Sequence, residues 1–424
     1  MKHFIFLILI IFNANIHFSA QSISNVSVID SKYGISPDDI IYEESENFNY
    51  VQFRTNPYPI YFNGELIDEG GLKNFDGSDD HFYIAQMLKD NSFVRIADIY
   101  TKGEKSGFSY NVAQQVASGM VVQEDKIYVY GSARLTDSLF FNKRFIKKIP
   151  RSGSFVWTLD EQFELIDEFY YSLDTTVYNE YMNLQVDKNG DYHLAARFSA
   201  IKSIVDYSLE IGGDSILSTN HPQGLISFYY AIVDGKTKKL KVSNNFGGGL
   251  NGNTRLNTFY LDDSLNAFVA MDSPPNGLIV NDVEYPGTSV FADGLELCFN
   301  GDSLKYYIRY GGSLGQGLSS AKPLSDNYVY EIGGSSGGIY PFIMNSDTIY
   351  FDHPSNRLIV KRRKDGTLVW YQSINGPNTG TDLFDYTLSG DKKSLWISGY
   401  LKKDSIFYIE GHELLLEGGP YAGY

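Results

Sequence analysis

Oxygen-bearing residues alternate in one short segment, and this is the pattern in the sequence best suited to metal binding. Asp187, Asn189 and Asp191 place side-chain oxygens at every second position, which suits a hard cation such as Ca²⁺. Gly190 comes too early for a twelve-residue calcium loop, and Phe198 stands where that loop has a glutamate. A turn between strands explains the same residues through side-chain-to-backbone hydrogen bonds. The sequence thus predicts no required cofactor and leaves Ca²⁺ open at this segment.

The histidines do not form a catalytic pattern. No pair of them has the i, i+4 spacing with which a helix binds zinc. Isolated histidines are more often solvated or at the edge of a core than catalytic. Those beyond the first 20 residues are His81, His193, His221, His353 and His412. The sequence therefore predicts no catalytic residue.

Glycine-rich stretches could offer a ligand surface. Strands, and not a helix N-terminus, are expected after them, so they are not phosphate-binding loops. Two of them, residues 247–252 and 311–317, fall at one position of the repeat described below, where loops gather on one face. Ordinary turns are the alternative. The candidate ligand-binding residues in such loops are Gly248, Asn251, Gly312, Gln316 and Asn378.

Charge and composition exclude several classes of protein. The chain has 424 residues, with 35 Lys and Arg against 51 Asp and Glu, which gives a net charge of −16. Nucleic-acid binding needs clustered basic residues, so this balance predicts no nucleic-acid partner. Aromatic residues make up 15% of the chain, enough to build a core. One cysteine, Cys298, cannot form an intramolecular disulfide or a cysteine-based zinc site.

The first 20 residues have the three-part pattern of a secretory signal peptide. Lys2 gives a positive start, residues 4–12 are an unbroken apolar run, and Ser19 and Ala20 are small residues before a cleavage point. The run is too short to span a bilayer, which needs about 20 apolar residues. The sequence predicts an exported chain without a transmembrane segment, secreted or held at the outer cell surface.

Beyond this segment, short apolar runs recur after polar turns. They are rich in Val, Ile, Tyr and Phe, and no long amphipathic helix interrupts them. Their centres lie on average about 69 residues apart, which is the spacing of a repeat. The centres are Val51, Val129, Leu194, Val269, Val329 and Ile397. A second run follows each centre, and several continue through a polar turn into an extra hairpin.

Two segments align with each other without a gap. Residues 144–157 and 357–370 each contain a strand-like run, a Ser-Gly or Asp-Gly turn, and a second run that ends in Val-Trp. Asp-Gly between apolar runs is a strong hairpin signal. Both segments are therefore predicted hairpins, with Trp157 and Trp370 at matching positions.

Repetition of such units predicts an all-β fold, a β-propeller of about six blades. Each blade would have four or more antiparallel strands with an extra hairpin. A parallel β-helix has much shorter repeats, and two tandem β-sandwiches would not predict six copies. The predicted organisation is a signal peptide, 1–20, and one propeller domain, 21–424. Its units are roughly 23–80, 81–143, 144–225, 226–290, 291–355 and 356–424.

The last unit resembles the secreted bacterial β-propeller repeats (SBBP-type) of Bacteroidetes surface proteins. Its matching positions are Asp365-Gly366, Val369-Trp370, Asn375-Gly376, Asp391 and the run 395–399. The resemblance implies a binding or scaffold module, often exported by type IX secretion with a C-terminal sorting domain, and it carries no catalytic residues. The first unit lacks one strand of the pattern, so a ring needs another. We expect the full gene product to continue past Tyr424 with a closing strand.

Two functions remain open at this stage. The first is a non-enzymatic, secreted or cell-surface propeller that binds a protein or glycan partner or acts as a scaffold. The second is a carbohydrate-active propeller, a glycoside hydrolase or polysaccharide lyase, whose acids come from separate loops and meet only in space. Two carboxylates with a His or Tyr at an open mouth would favour the enzyme.

Overall fold

The computed structural model describes residues 10–13, 29–31, 36–55, 59–63, 65–68, 81–90, 92–102, 119–134, 138–149, 152–172, 177–200, 208–217, 226–247, 256–273, 278–285, 293–311, 316–325, 327–336, 342–344, 347–349, 355–376, 381–388, 394–402, 406–409, 412–415 and 421–423. These residues contain strands and turns but no helix, and every strand pairing is antiparallel. The chain is therefore all-β, as the sequence predicts. Strand pairing does not join the described sheets into a closed barrel.

The strands are numbered in chain order and grouped here by sheet. The first two are β1 (Ile10–Asn13) and β2 (Ile29–Ser31). Sheet 1 contains β3 (Ser36–Glu44), β4 (Phe48–Thr55), β7 (His81–Leu88), β8 (Phe93–Lys102), β11 (Ser138–Phe141) and β12 (Arg144–Lys148). Strand β2 forms a small sheet with β5 (Ile60–Phe62) and β6 (Glu65–Asp68). Sheet 2 contains β9 (Gly119–Gln123), β10 (Lys126–Arg134), β13 (Ser152–Asp160) and β14 (Leu165–Tyr171).

The remaining sheets follow the same plan. Sheet 3 contains β15 (Val177–Val186), β16 (Tyr192–Ala200), β19 (Ile226–Val233), β20 (Leu240–Gly247), β23 (Leu278–Val280) and β24 (Val283–Tyr285), and a separate hairpin contains β17 (Ser208–Ile211) and β18 (Asp214–Leu217). Sheet 4 contains β21 (Leu256–Leu261), β22 (Asn266–Ser273), β25 (Asp293–Asn300), β26 (Ser303–Gly311), β29 (Phe342–Met344) and β30 (Asp347–Ile349). Sheet 5 contains β27 (Gln316–Ser325), β28 (Tyr328–Ser336), β31 (Ser355–Arg363), β32 (Leu368–Gly376), β35 (Ile406–Ile409) and β36 (His412–Leu415). Sheet 6 contains β33 (Thr381–Leu388), β34 (Ser394–Lys402), β1 and β37 (Tyr421–Gly423).

Sheets 1 to 5 share one connectivity. Four strands form an antiparallel meander, and a short hairpin from later in the chain lies beside the outer strand. In the sequence, that hairpin comes directly after the second strand of the next sheet. The chain therefore forms two strands of the next sheet, returns to the outer strand of the previous sheet, and only then forms the third strand of the next sheet. In sheet 2 the contact is a hydrogen bond from the Ser172 N–H to the Glu210 carbonyl, 2.9 Å long. Consecutive sheets are therefore joined both by the continuous backbone and by the hydrogen bonds of the returning hairpin.

The predicted centres of the repeat all occupy the second strand of a sheet. Val129, Leu194, Val269 and Val329 lie in β10, β16, β22 and β28 and are fully buried. Val51 and Ile397 lie in β4 and β34. In β10, β16 and β22 the apolar run is continuous because neighbouring sheets cover both faces of the strand. The sequence prediction of six recurring strands is confirmed.

Among the described residues, apolar side chains are buried in one cluster between hairpin β5–β6 and sheet 1 and in four clusters between consecutive sheets. In β16, for example, Leu194 packs with residues of sheet 2, whereas its neighbour Ala195 packs with residues of sheet 4. Successive residues of a strand point to opposite faces, so each central strand contributes to two interfaces. The first strands of consecutive sheets also contact each other, from β3 with β9 to β27 with β33. The sheets thus follow one another in chain order, face to face.

One predicted pair of hairpins is only half right. Residues 357–370 do form a hairpin, because β31 pairs with β32 across the turn at Gly366. Residues 144–157 do not, because β12 pairs with β11 in sheet 1 while β13 pairs with β10 in sheet 2. The alignment therefore matched strands with different places in the meander. Trp157 is fully buried in a third strand, whereas Trp370 lies in an outer strand and is 41% exposed.

A β-bulge recurs at one place in each of the first five sheets. It interrupts the ladder between the third and fourth strands just after the turn, where one residue of the outer strand has no partner opposite it. The bulged residues are Val94, Ile166, Lys241, Lys305 and Val369. This shared irregularity gives a residue-by-residue correspondence among the outer strands.

Candidate functional site

Most of the predicted loop candidates lie outside the described residues. These are Gly248, Asn251, Gly312 and Asn378. Gln316 is described and is the first residue of β27, opposite Ser335 in β28. The structure therefore brings none of these candidates together into a site.

The segment considered for Ca²⁺ forms a tight turn between β15 and β16. Asp187 Oδ1 accepts hydrogen bonds from the N–H groups of Asn189, at 2.8 Å, and Asp191, at 2.9 Å. Burial favours a higher pKa for Asp187, but these N–H groups outweigh it and hold the pKa below its ordinary value. These are the side-chain-to-backbone hydrogen bonds of a turn between strands. Asp191 forms a 2.8 Å ion pair with Lys241. Within the described part of the chain, no three His, Cys, Asp or Glu side chains are grouped to hold a metal ion.

Two residues singled out in the sequence meet beside this turn. His193 Nε2 lies 3.6 Å from Asp187 Oδ2, and His193 Nδ1 lies 2.9 Å from the hydroxyl of Tyr230. The histidine is 1% exposed, and burial lowers its pKa while Asp187 opposes that effect. A neutral, enclosed imidazole is expected here, which fits the packing of sheets 2, 3 and 4 better than proton transfer to a ligand.

His81 has a similar enclosed position in sheet 1. Its Nδ1 lies 2.8 Å from Asp98 Oδ1, and its ring stacks on Tyr100 with centroids 4.4 Å apart. Burial raises the pKa of Asp98, and the hydrogen bond to His81 opposes that effect. Asn142 Oδ1 accepts a hydrogen bond from the Asp98 N–H. His221 and His353 lie outside the described residues. His412 begins β36.

Sequence reasoning missed a cluster of charged residues between sheets 4 and 5. Arg362 forms ion pairs with Glu296 and Glu331, and all three side chains are fully buried. The Tyr310 hydroxyl donates to Glu331 over 2.5 Å. The second carboxylate oxygen of each glutamate is buried without a hydrogen-bond partner among the described groups. Alternation along β31 could have indicated that Arg362 is buried, because it shares one face of the strand with Leu358 and Val360.

Protonation of Glu331 makes this cluster tolerable in an apolar interface. Burial raises the pKa of Glu331 to about 8, with Arg362 opposing and Glu296 adding to the effect. A protonated Glu331 lowers the buried negative charge beside Arg362 near neutral pH. The geometry contains two carboxylates and tyrosines, the combination sought for a glycosidase. No substrate can reach it, because the side chains have no exposed surface.

Exposed apolar side chains occur together on the outer strand of sheet 5. Val369, Trp370 and Tyr371 are consecutive in β32 and are 47%, 41% and 43% exposed. Because neighbours along a strand point to opposite faces, the three side chains project from both faces of the sheet. Lys361 lies directly opposite Trp370 in β31, and its ammonium group lies 4.3 Å from the centre of the Tyr328 ring. This surface has the aromatic character of binding sites.

Comparison with known proteins gives little additional information. No family model matches the chain, and no curated protein matches it. Two solved structures of Pyrococcus horikoshii acylaminoacyl peptidase are similar at 10% identity. Over 86% of this chain, the orthorhombic form has a TM-score of 0.23 and the uncomplexed form 0.24. The matches cover 57% and 58% of those chains. Similarity at this level supports no functional argument.

Across the described residues, no helix has the length and apolar composition needed to cross a bilayer.

Proposed function

We propose that the protein is an exported six-bladed β-propeller that binds a protein or glycan partner without catalysing a reaction. Residues 1–20 act as its export signal, so cleavage removes β1 and leaves β33, β34 and β37 in sheet 6. The mature chain is secreted or held at the outer cell surface. The SBBP-type resemblance of the last repeat is part of this proposal.

The connectivity of the sheets supports the propeller. Six sheets follow one another with their first strands in contact, as the blades of a propeller do around its axis. Strand β2 pairs with the β5–β6 hairpin just as the outer strands of sheets 1, 3, 4 and 5 pair with theirs. By this correspondence β2 is the outer strand of sheet 6, whose first two strands, β33 and β34, come from the other end of the chain. The ring is then closed by one sheet built from both ends.

One contrast carries the proposal of binding without catalysis. The carboxylate clusters around Arg362, His81 and His193 are buried, and the more exposed Lys238 and Lys241 form ion pairs with the carboxylates beside them. The exposed aromatic residues Trp370 and Tyr371 lie instead on an outer strand, open to a ligand. Catalysis needs acids and bases in contact with substrate, whereas binding needs exposed apolar and aromatic area.

A glycan array run beside a polysaccharide hydrolysis screen tests the proposal. The secreted protein is expected to release no reducing sugar from any polysaccharide. Any glycan that it retains is expected to bind less tightly to Trp370→Ala, whereas the buried-site variant Glu331→Gln should retain it. Cleavage of any polysaccharide would contradict the proposal and favour the carbohydrate-active alternative.

A further inference from the structure

Strand β32 has an open edge along its first half. On one side it pairs with β31, but on the other side β35 pairs with it only at Ile374 and Asn375, among the strands that the structure describes. The exposed segment of residues 369–371 precedes that contact. An open edge presents unpaired N–H and C=O groups that can pair with another extended chain.

Comparison among the sheets shows that this edge is unusual. The recurring bulge aligns residues 369–371 with residues 94–96, 166–168, 241–243 and 305–307 of the other outer strands. Each of these segments contains at least one charged residue, the usual protection of an edge against pairing. The charged residues are Arg95, Asp167, Glu168, Lys241 and Lys305. Residues 369–371 contain none, and all three are apolar or aromatic and exposed.

Basic side chains border the open edge. Lys361 lies across the ladder from Trp370, and Arg363 ends the same strand and is exposed. In a chain with a net charge of −16, this local positive charge is complementary to carboxylates. Lys364 is not available in the same way, because it forms an ion pair with Asp262.

We propose that the edge of β32 at residues 369–371 is a strand-addition site for an extended segment of a partner protein in which apolar and acidic residues alternate. The segment would pair with the β32 backbone, place its apolar side chains on the face of Tyr371, and direct its carboxylates to the face of Trp370, where Lys361 and Arg363 lie. This inference rests on the proposed binding function and selects a protein as the partner. A glycan cannot use the backbone groups of the edge in this way.

Labelled ten-residue peptides test the site by fluorescence anisotropy with the full chain. The probe alternates Val and Glu, and its matched control alternates Val and Lys. We expect the Glu peptide to bind at least about tenfold more tightly than the Lys peptide. A Glu peptide that is N-methylated at alternate residues should lose binding, because it cannot pair with the edge. The inference would be overturned if the Lys peptide or the methylated peptide bound as tightly as the Glu peptide.

Two matched variants locate the binding. Val369→Glu places a negative charge at the bulge of β32, and Ile166→Glu makes the same change at the corresponding exposed bulge of β14. We expect Val369→Glu to abolish binding of the Glu peptide, because it repels the peptide carboxylates, and Ile166→Glu to leave it unchanged, with equal melting temperatures. The reverse pattern, or failure of the wild-type chain to bind the Glu peptide, overturns the inference. If the chain retains a glycan but binds no peptide, the inference is overturned and the proposed binding function stands.

Discussion

At the scale of single residues, burial decides what a polar group does in this protein. Asp187 and Asp262 both begin turns between the first two strands of a sheet and are almost fully buried. Each carboxylate accepts two backbone N–H groups of its own turn, which satisfies donors that strands leave unpaired where they reverse. The same residue types that suggest a cation site in the sequence are therefore occupied by turn formation.

A first prediction concerns the pH dependence of stability. Because the pKa of Glu331 is raised from 4.5 to about 8, the folded protein holds a proton that the unfolded chain releases. The contribution of Glu331 to stability should therefore fall as the pH rises from about 4.5 to about 8. Glu331→Gln removes this titration and should flatten the fall. Urea unfolding at pH 5.5 and pH 8 measures the effect.

Exposed Glu46 provides the control for this measurement. Glu46→Gln should leave the pH dependence at the wild-type level, because its side chain lies in solvent. Parallel wild-type and Glu331→Gln stabilities across this pH range would contradict the assignment of a buried, protonated Glu331.

At the scale of elements, turns and bulges define the edges of the sheets. The hairpin turn of β23 and β24 has positive φ at both central residues, Asn281 and Asp282, and the turn of β11 and β12 has the same at Asn142 and Lys143. This conformation matches the right-handed twist of the flanking strands. Such short-range features are readable in sequence. The partner strand of each hairpin is not, because it comes from tens of residues earlier in the chain.

A second prediction concerns the contact between two turns of sheet 3. A Cβ atom at Gly235 would lie 1.8 Å from the carbonyl oxygen of Gly190, so the backbone would have to move. Gly235→Ala should destabilise the protein by about 1–3 kcal/mol through overpacking. The neighbouring Lys236 is exposed, and Lys236→Ala should change stability by less than about 0.5 kcal/mol. Equal melting temperatures of the two variants would contradict this close contact.

At the scale of the whole molecule, apolar clusters among the described residues join hairpin β5–β6 and sheets 1 to 5 in chain order. An open stack and a closed ring share these interfaces. They differ in whether sheet 6 lies next to sheet 1, because in a ring β2 completes sheet 6 beside sheet 1.

A third prediction distinguishes the ring from the stack by spin-label distances. Labels at Glu46, in the first turn of sheet 1, and at Ser394, which begins the second strand of sheet 6, should be closer together than labels at Glu46 and Asp263, in the first turn of sheet 4. In a ring of six, sheets 1 and 6 are neighbours and sheets 1 and 4 are opposite. Sheets pack about 10 Å apart, so an open stack would reverse this order. A Cys298→Ala background removes the native thiol, and double electron–electron resonance measures both distances.

Much of the secondary structure follows from the sequence, because alternation and turn chemistry act over a few residues. The six repeated strands centred on residues such as Val129 and Leu194 are predicted and found. The hairpin at residues 144–157 is wrongly predicted, since the same pattern of letters occurs at a crossing between two sheets. Arg362 was missed because a basic residue in a strand reads as exposed unless its partners, Glu296 and Glu331, are known.

The sequence by itself determines that this chain is a repeated, antiparallel β protein, since the spacing of apolar runs and polar turns is a local property. Tertiary structure alone decides which strands share a sheet and which face each side chain meets. Trp157 and Trp370 end the same sequence pattern, yet one is enclosed by two sheets and the other lies on an open edge. The difference arises from pairing with strands far away in the chain, and that pairing determines which residues are available to a partner.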